Sequence, residues 1–109
     1  MNRNFSQMIT VHCPDLPKLI ELLEQWDIHQ ATTDIMGYMG SRVLADRENV
    51  GRYLIIVEFG VVDPNVSAAE EAARNNERPE TKAMVAAVTE IIHGAPEYHD
   101  FDEIYRTDR

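Results

Sequence analysis

Several residue types that characterise other protein classes are scarce in this sequence. Among 109 residues there is one cysteine, Cys13, so no disulfide can form within the chain, and we expect a reducing, cytoplasmic compartment. Lysine and arginine number 10 against 19 acidic residues, which gives a formal net charge of −9. Because contacts to phosphate groups require clustered cations, this balance argues against nucleic acid or an anionic membrane as a partner.

Long apolar runs are also missing from the sequence. No stretch approaches the roughly 20 apolar residues needed to cross a bilayer, so we expect no membrane span. The first residues lack the apolar segment of a secretory signal, so we expect no export signal. The contents of 44% hydrophobic and 27% charged residues are ordinary for a globular protein, and we expect one domain over residues 1–109.

The most informative stretch that is present runs from Arg52 to Phe59, between two glycines. Its β-branched and aromatic residues predict a strand. Side chains alternate along a strand, which places Tyr53, Ile55, Val57 and Phe59 on one face and Leu54, Ile56 and Glu58 on the other. Both faces are largely apolar, so we expect something to cover each side of the sheet.

Alternation of apolar and polar side chains predicts further strands. They cover residues 5–12, 35–45 and 98–107. Gly37 and Gly40 in the second of these strands are typical of a bulge or of a close approach by a ligand or backbone. The polar residues 46–51 then predict a hairpin loop that leads into the central strand.

Helical periodicity follows the first strand. Apolar residues recur at helical spacing from Leu16 to Trp26, and Asp15 is placed to cap the helix that they predict. A polar connection is predicted over residues 27–34, between this helix and the second strand.

A second helical region is predicted in two pieces. Ser67 and Glu70 have the spacing of a capping box, which predicts a short helix over residues 68–75. Pro79 opens the second piece. Its end is predicted near Gly94, because helices favour a residue that adopts left-handed backbone angles just beyond their last turn.

The resulting order of strand, helix, strand, strand, helix and strand predicts an α+β protein. It is the βαββαβ plan of the ferredoxin-like fold, in which both helical regions pack on one face of an antiparallel sheet. The opposite face would then expose more apolar surface than a soluble monomer tolerates. We therefore expect a homodimer, formed sheet to sheet or as a closed two-chain barrel.

Four stretches of the chain resemble a known family. They are the glycine-containing strand over residues 36–44 with its loop into 52–59, the segment 72–81, and the segment 96–102. Together they are similar to the antibiotic biosynthesis monooxygenase (ABM) type of domain in the dimeric α/β-barrel superfamily. The resemblance implies a dimeric α/β barrel, and its members include cofactor-independent oxygenases of polycyclic phenols, haem-degrading enzymes and proteins with no known reaction.

The haem-degrading members use an Asn, a Trp and a His around the porphyrin. The only tryptophan here is Trp26, which falls on the first predicted helix rather than on the second. This departure from the family pattern argues against haem. We expect no cofactor.

The resemblance places a pocket between the helices and the sheet, and several polar residues are candidates to line it. Catalytic candidates are Asn75, Asn76, Tyr53 and His99, and substrate-binding candidates are Tyr38, Arg42 and His12. Each has a structural alternative. The two asparagines are typical of residues that cap and break a helix, and Arg42 is placed to pair with Glu58 on the neighbouring strand.

A metal site is not expected. His99 and Glu103 fall on one face of the last predicted strand, whereas Asp100 and Asp102 fall on the other, so one ion could not collect all four. Cys13 follows His12 directly, but neighbouring strand residues point in opposite directions, and the thiol is expected to be structural.

Two functional hypotheses follow. The first is a cofactor-independent monooxygenase that acts on an apolar aromatic metabolite, as the resemblance implies. The second is a non-catalytic dimer that binds a small molecule or serves as an accessory protein. Fold alone is a weak guide to reaction type, so the pocket must distinguish the two hypotheses. A closed apolar cavity with an asparagine and a tyrosine inside it would favour the enzyme.

Overall fold

The computed structural model describes residues 3–32 and 37–107 and has the predicted order of elements. The strands are β1 (Phe5–His12), β2 (Tyr38–Ala45), β3 (Arg52–Phe59) and β4 (His93–Asp102). The helices are α1 (Leu16–Thr32), α2 (Ala68–Asn76) and α3 (Pro79–Ile91). The βαββαβ plan is confirmed, with the second helical region divided into α2 and α3 as the sequence predicts.

The described strands form one antiparallel sheet in the order β2-β3-β1-β4, which is the ferredoxin-like arrangement. The two central strands pair along their whole length, from Phe5 opposite Phe59 to His12 opposite Arg52. Residues that lie directly opposite one another share a face of the sheet. The register therefore brings alternate apolar side chains of β1 and β3 together on the side of the sheet that faces the helices.

The core lies between this face and the helices. Ile55, Val57 and Phe59 belong to it, and Leu19 of α1 is fully buried there. Ile56 is also buried, at 3% exposure, but it lies on the opposite face and outside the core cluster. The expectation that β3 is apolar on both faces is confirmed. Other core side chains come from β1, the helices and the segment after β1: Phe5, Val11, Cys13, Leu23, Trp26, Ala68, Ala72 and Val88.

The predicted helix caps are present. The backbone N–H of Lys18 donates to Oδ1 of Asp15 at 3.1 Å, which satisfies one of the free donors at the start of α1. The backbone N–H of Glu70 donates to Oγ of Ser67 at 3.1 Å at the start of α2. Both caps fix where a helix begins.

The first helix is longer than the sequence analysis predicts. It continues to Thr32, so the predicted polar connection over residues 27–34 is wrong for residues 27–32. This segment contains no glycine or proline to end the helix, so its residue types do not oppose continuation of α1. The remainder of the connection, together with Ile35 and Met36 of the predicted second strand, lies outside the described residues.

The last strand begins and ends five residues earlier than predicted. It covers His93–Asp102 instead of residues 98–107, and Gly94 lies in the strand with a φ of 72°. The pairing with β1 shifts register between Thr10 and His12, which marks a bulge opposite those residues. Pro96 is compatible with this position because β4 is an edge strand, where a missing N–H leaves no sheet partner unpaired.

The hairpin loop between β2 and β3 is held by one carboxylate. Asp46 accepts hydrogen bonds from the backbone N–H of Glu48 at 2.8 Å and from the guanidinium of Arg52 at 2.6 Å. The bond from Glu48 and the charge-assisted bond from Arg52 hold the pKa of Asp46 well below its usual range. The loop thereby supports the register in which β2 and β3 pair.

Shortening Leu19 tests the core. We expect Leu19→Ala to lower the free energy of unfolding by about 2 to 5 kcal/mol, because the side chain is fully buried and its removal leaves a cavity. Val50→Ala is the control, since Val50 is fully exposed and should change stability by less than about 0.5 kcal/mol. Urea unfolding of both variants measures the difference, and equal midpoints would contradict this description of the core.

Candidate functional site

A cavity of about 460 Å³ lies between the helices and the sheet, where the family resemblance places a pocket. Most of its wall is apolar and comes from α1, α3 and the two central strands. The apolar lining residues are Ile9, Trp26, Val57, Phe59, Met84, Val85 and Ala86. The polar lining residues are Gln7, Asn75, Asn76, Thr81, Lys82 and Tyr98. An apolar cleft with a few polar groups is the usual form of a small-molecule site.

A chain of hydrogen bonds runs along one wall of this cavity. Nε1–H of Trp26 donates to Oγ1 of Thr81 at 3.0 Å, and the Thr81 hydroxyl donates to Oδ1 of Asn75 at 3.4 Å. Each of the three side chains is at most 4% exposed. Buried polar groups are costly unless they are bonded, so this arrangement holds the three side chains in fixed relative positions.

The break between α2 and α3 brings Asn75 and Thr81 together. The helix ends at Asn76, and the backbone N–H of Arg78 donates to the carbonyl oxygen of Asn75 at 3.1 Å. Pro79 then starts α3, where its missing N–H costs no helical hydrogen bond. Asn75 therefore occupies the last turn of one helix and Thr81 the first turn of the next, which serves both helix termination and the lining of the cavity.

Charged and phenolic side chains lie at the margin of the cavity. Tyr98 of β4 is 47% exposed. Nζ of Lys82 lies 3.0 Å from Oε2 of Glu77, and Nε2 of Gln7 donates to Oδ1 of Asp100 at 3.3 Å. The buried end of the cavity thus presents amide and hydroxyl groups, while the ion pair remains near solvent.

The other candidate residues occupy different places. Tyr53 packs against the core and is absent from the described lining of this cavity. His12 and His99 are exposed residues on the face of the sheet away from the helices. Arg42 lies on that same face, with Nε 3.5 Å from Oε1 of Glu58, so the ion pair offered as its structural alternative is present.

Tyr38 packs against two aromatic residues of the cavity wall, Trp26 and Phe59. Its ring meets Trp26 edge to face, with 5.5 Å between centroids, and it meets Phe59 in the same way at 5.8 Å. Its hydroxyl donates to the carboxylate of Asp27, and both residues line a separate open groove of about 890 Å³ between α1 and β2. Burial, followed by the bond to Asp27, raises the pKa of Tyr38 well above its usual value of 10.0.

No sequence pattern indicates that Trp26, Thr81 and Tyr98 belong to the site. Trp26 belongs to an apolar helical stripe, where its indole N–H gives no spacing signal. Thr81 stands within a resembling segment, but nothing in its immediate sequence indicates a buried hydroxyl. Tyr98 lines the cavity because β4 pairs with β1 so that it faces Ile9, and that register depends on a bulge.

The described part of the chain contains neither a cluster of metal ligands nor a helix suited to a membrane. Within residues 3–32 and 37–107, no group of three or more His, Cys, Asp or Glu side chains is arranged to hold a metal ion. None of the described helices combines the length and apolarity needed to cross a membrane.

The raised pKa of Tyr38 predicts a late tyrosine titration. The folded state holds this proton more tightly than the unfolded state, so the stabilisation is fully present below pH 10.0 and is lost as pH rises further. Absorbance of phenolate in alkaline titrations should show that one of the four tyrosines ionises after the others. Tyr38→Phe should remove that late component, and Tyr105→Phe, which changes an exposed tyrosine, should not.

Comparison with known proteins gives a consistent result for the fold. No protein-family model matches the chain, and no curated protein matches it at a significant level. A variant of SnoaB, a cofactor-independent oxygenase from Streptomyces nogalater, superposes with a TM-score of 0.73 at 12% sequence identity, over 98% of this chain and 99% of that chain.

Two further solved structures are similar. One is from Nitrosomonas europaea, with a TM-score of 0.68 at 12% identity over 99% of this chain and 97% of that chain. The other is from Caulobacter crescentus, with a TM-score of 0.65 at 14% identity over 95% and 92%. Both are provisionally assigned as antibiotic biosynthesis monooxygenases. The chain therefore has the same ferredoxin-like fold as these ABM-type structures.

Proposed function

We propose that this protein is a cytoplasmic, ABM-like homodimer that acts as a cofactor-independent monooxygenase on an apolar aromatic metabolite. The observation that carries the proposal is the cavity between the helices and the sheet, with Asn75 buried in its wall. SnoaB, which shares the fold, is a cofactor-independent oxygenase, and this supports the same class of reaction here.

The proposed chemistry uses the substrate as the source of electrons. An electron-rich phenolate donates electrons to dioxygen, so the reaction calls for neither flavin nor metal. The protein contributes a dry site and hydrogen-bond donors that stabilise the negative charge. Asn75 is the donor that we assign to this role, because its amide is buried and lies on the cavity wall.

The shape and lining of the cavity suit an aromatic ligand. Trp26 and Phe59 offer aromatic surfaces, and Met84 offers a flexible side chain that adapts to the outline of a ring. A volume of about 460 Å³ falls within the usual range of roughly 300 to 1,000 Å³ for small-molecule sites.

A second candidate function is non-catalytic binding of the same class of ligand. It is favoured by the chemical nature of the polar lining, which among the described residues consists of amides, hydroxyls and one lysine already close to Glu77. Such a wall can orient a ligand without supplying a carboxylate or imidazole as a general base. A binding protein would retain the ligand without consuming dioxygen.

Replacement of Asn75 separates the two functions. With 1,8-dihydroxyanthrone as the probe, we expect the wild-type protein to consume dioxygen faster than the protein-free solution. We expect Asn75→Ala to reduce kcat by about 100-fold, because removal of one hydrogen-bond donor to a developing oxyanion has an effect of this size in other enzymes. An oxygen electrode and the absorbance of the oxidised product follow the reaction.

Asn65→Ala is the matched control, because Asn65 is an exposed asparagine in the loop before α2 and lies outside the cavity. Its turnover should equal that of the wild-type protein. Binding of the probe without dioxygen consumption would favour the binding protein, and turnover that survives Asn75→Ala unchanged would contradict the assigned role of Asn75.

The homodimer in this proposal rests on the face of the sheet away from the helices. That face carries apolar residues from all four strands: Met8, Leu44, Leu54, Ile56 and Phe101. Leu44 and Phe101 are 44% and 49% exposed in the single chain. Contact with the same face of a second copy would remove this surface from water and satisfy two-fold symmetry.

Charge placed on this face should prevent dimerisation. We expect Leu44→Lys combined with Phe101→Lys to convert the protein to a folded monomer, because two-fold symmetry doubles each buried charge. Val50→Lys, which adds a charge in the exposed hairpin loop, should leave the dimer intact. Sedimentation velocity gives the masses, and a wild-type protein that sediments as a monomer at micromolar concentration would refute the dimer.

A further inference from the structure

The direction of the hydrogen bonds along the cavity wall follows from the chemistry of the three side chains. An indole N–H can donate but cannot accept, so Oγ1 of Thr81 must be the acceptor in its bond with Trp26. The hydroxyl hydrogen of Thr81 then needs an acceptor of its own. Oδ1 of Asn75, at 3.4 Å, is the acceptor that the described residues provide.

This direction determines how the Asn75 amide is oriented. With Oδ1 facing Thr81, the NH₂ group occupies the other end of the amide. In the reverse orientation, two donors would approach Thr81 and its own hydrogen would have no acceptor among the described residues. Within the part of the chain that the structure describes, no hydrogen bond engages Nδ2 of Asn75, so this donor remains available at the cavity wall.

We propose that Trp26 and Thr81 are positioning residues that present the Asn75 NH₂ group to the cavity, which selects apolar ligands carrying a hydrogen-bond acceptor such as a carbonyl or phenolate oxygen. The inference rests on the proposed ligand-binding cavity and adds the polarity of the group that it recognises. It also gives the indole N–H of Trp26, the only tryptophan of the chain, a role beyond that of the apolar ring surface.

The selection works through an unmatched buried donor. A ligand with a suitably placed oxygen satisfies Nδ2 of Asn75, whereas an apolar ligand of the same shape leaves that donor without a partner. A ligand that offers only a donor meets a second donor and gains nothing. Loss of the Thr81 hydroxyl allows the Asn75 amide to rotate. The difference in affinity between a ligand with an acceptor oxygen and an apolar ligand of the same shape should then decrease.

Two flat probes of similar shape test this selection. 2-Acetonaphthone carries an acceptor oxygen and 2-ethylnaphthalene carries none. Titrations of ¹⁵N-labelled protein, followed by NMR, give the affinity of each probe for the wild-type protein and for three variants. Thr81→Val removes the hydroxyl and keeps the shape, Thr81→Ser keeps the hydroxyl, and Asn75→Leu removes the amide.

We expect Thr81→Val and Asn75→Leu each to weaken binding of 2-acetonaphthone by about three- to tenfold, which is the loss of one hydrogen bond. Binding of 2-ethylnaphthalene should change by less than about twofold, because it makes no such bond. Thr81→Ser should retain both affinities. If Thr81→Val does not give a dispersed spectrum, Thr81→Ala replaces it in the same comparison.

The indole N–H signal of Trp26 provides a second readout. The chain has one tryptophan, so this signal is assigned without ambiguity. It should move upfield in Thr81→Val, where the indole loses its acceptor, and stay in place in Thr81→Ser. A signal that is unchanged in Thr81→Val would overturn the proposed chain of bonds.

The outcomes distinguish this inference from the proposed function. If Thr81→Val weakens the binding of both probes equally, or of neither, Thr81 does not position Asn75. The inference then fails, but the proposal of a ligand-binding cavity is unaffected. If neither probe shifts the signals of residues lining the wild-type cavity, the cavity is not a site for aromatic ligands. The proposed function and the inference then fail together.

Discussion

The structure depends on a central strand that is apolar on both faces. One face of β3 supplies Ile55, Val57 and Phe59 to the core beneath the helices, and the other buries Ile56 within the opposite side of the sheet. A strand of this kind is stable only when both sides are removed from water. The helices cover one side within the chain, and the proposed second copy covers the other. The constraint therefore links the interior of the chain to the proposed dimer.

The same constraint creates the cavity. Helices that cover a twisted sheet cannot contact it everywhere, and the interruption between α2 and α3 leaves a gap above β1 and β3. The interruption also places polar residues at that gap, because the last turn of α2 carries Asn75 and the first turn of α3 carries Thr81. Their side chains bond to each other, and the indole of Trp26 reaches Thr81 from α1. The break between the two helices thus brings together the polar groups of the site.

Periodicity accounts for most of the fold, whereas the site depends on contacts that sequence patterns do not encode. The bounds of β1 and β3 and the caps at Asp15 and Ser67 were predictable, because alternation and capping are local properties. The extension of α1 and the displacement of β4 were not, since polar residues are compatible with both a helix and a loop, and the position of β4 depends on a bulge within that strand. For the site, Asn75 could be named from its place between two helical pieces. Its bond to Thr81, and that of Thr81 to Trp26, join residues up to 55 positions apart in the chain.

The location of the polar wall at a joint between helices has an evolutionary consequence. Residues 75–81 connect the last turn of α2 to the first turn of α3, and their sequence can change without altering the pairing of any strand. Substitutions in this connection would alter which chemical groups the cavity accepts while the sheet and its apolar faces are conserved. Divergence within such a scaffold can therefore be rapid in ligand preference and slow in architecture, which is compatible with a shared shape at 12% sequence identity.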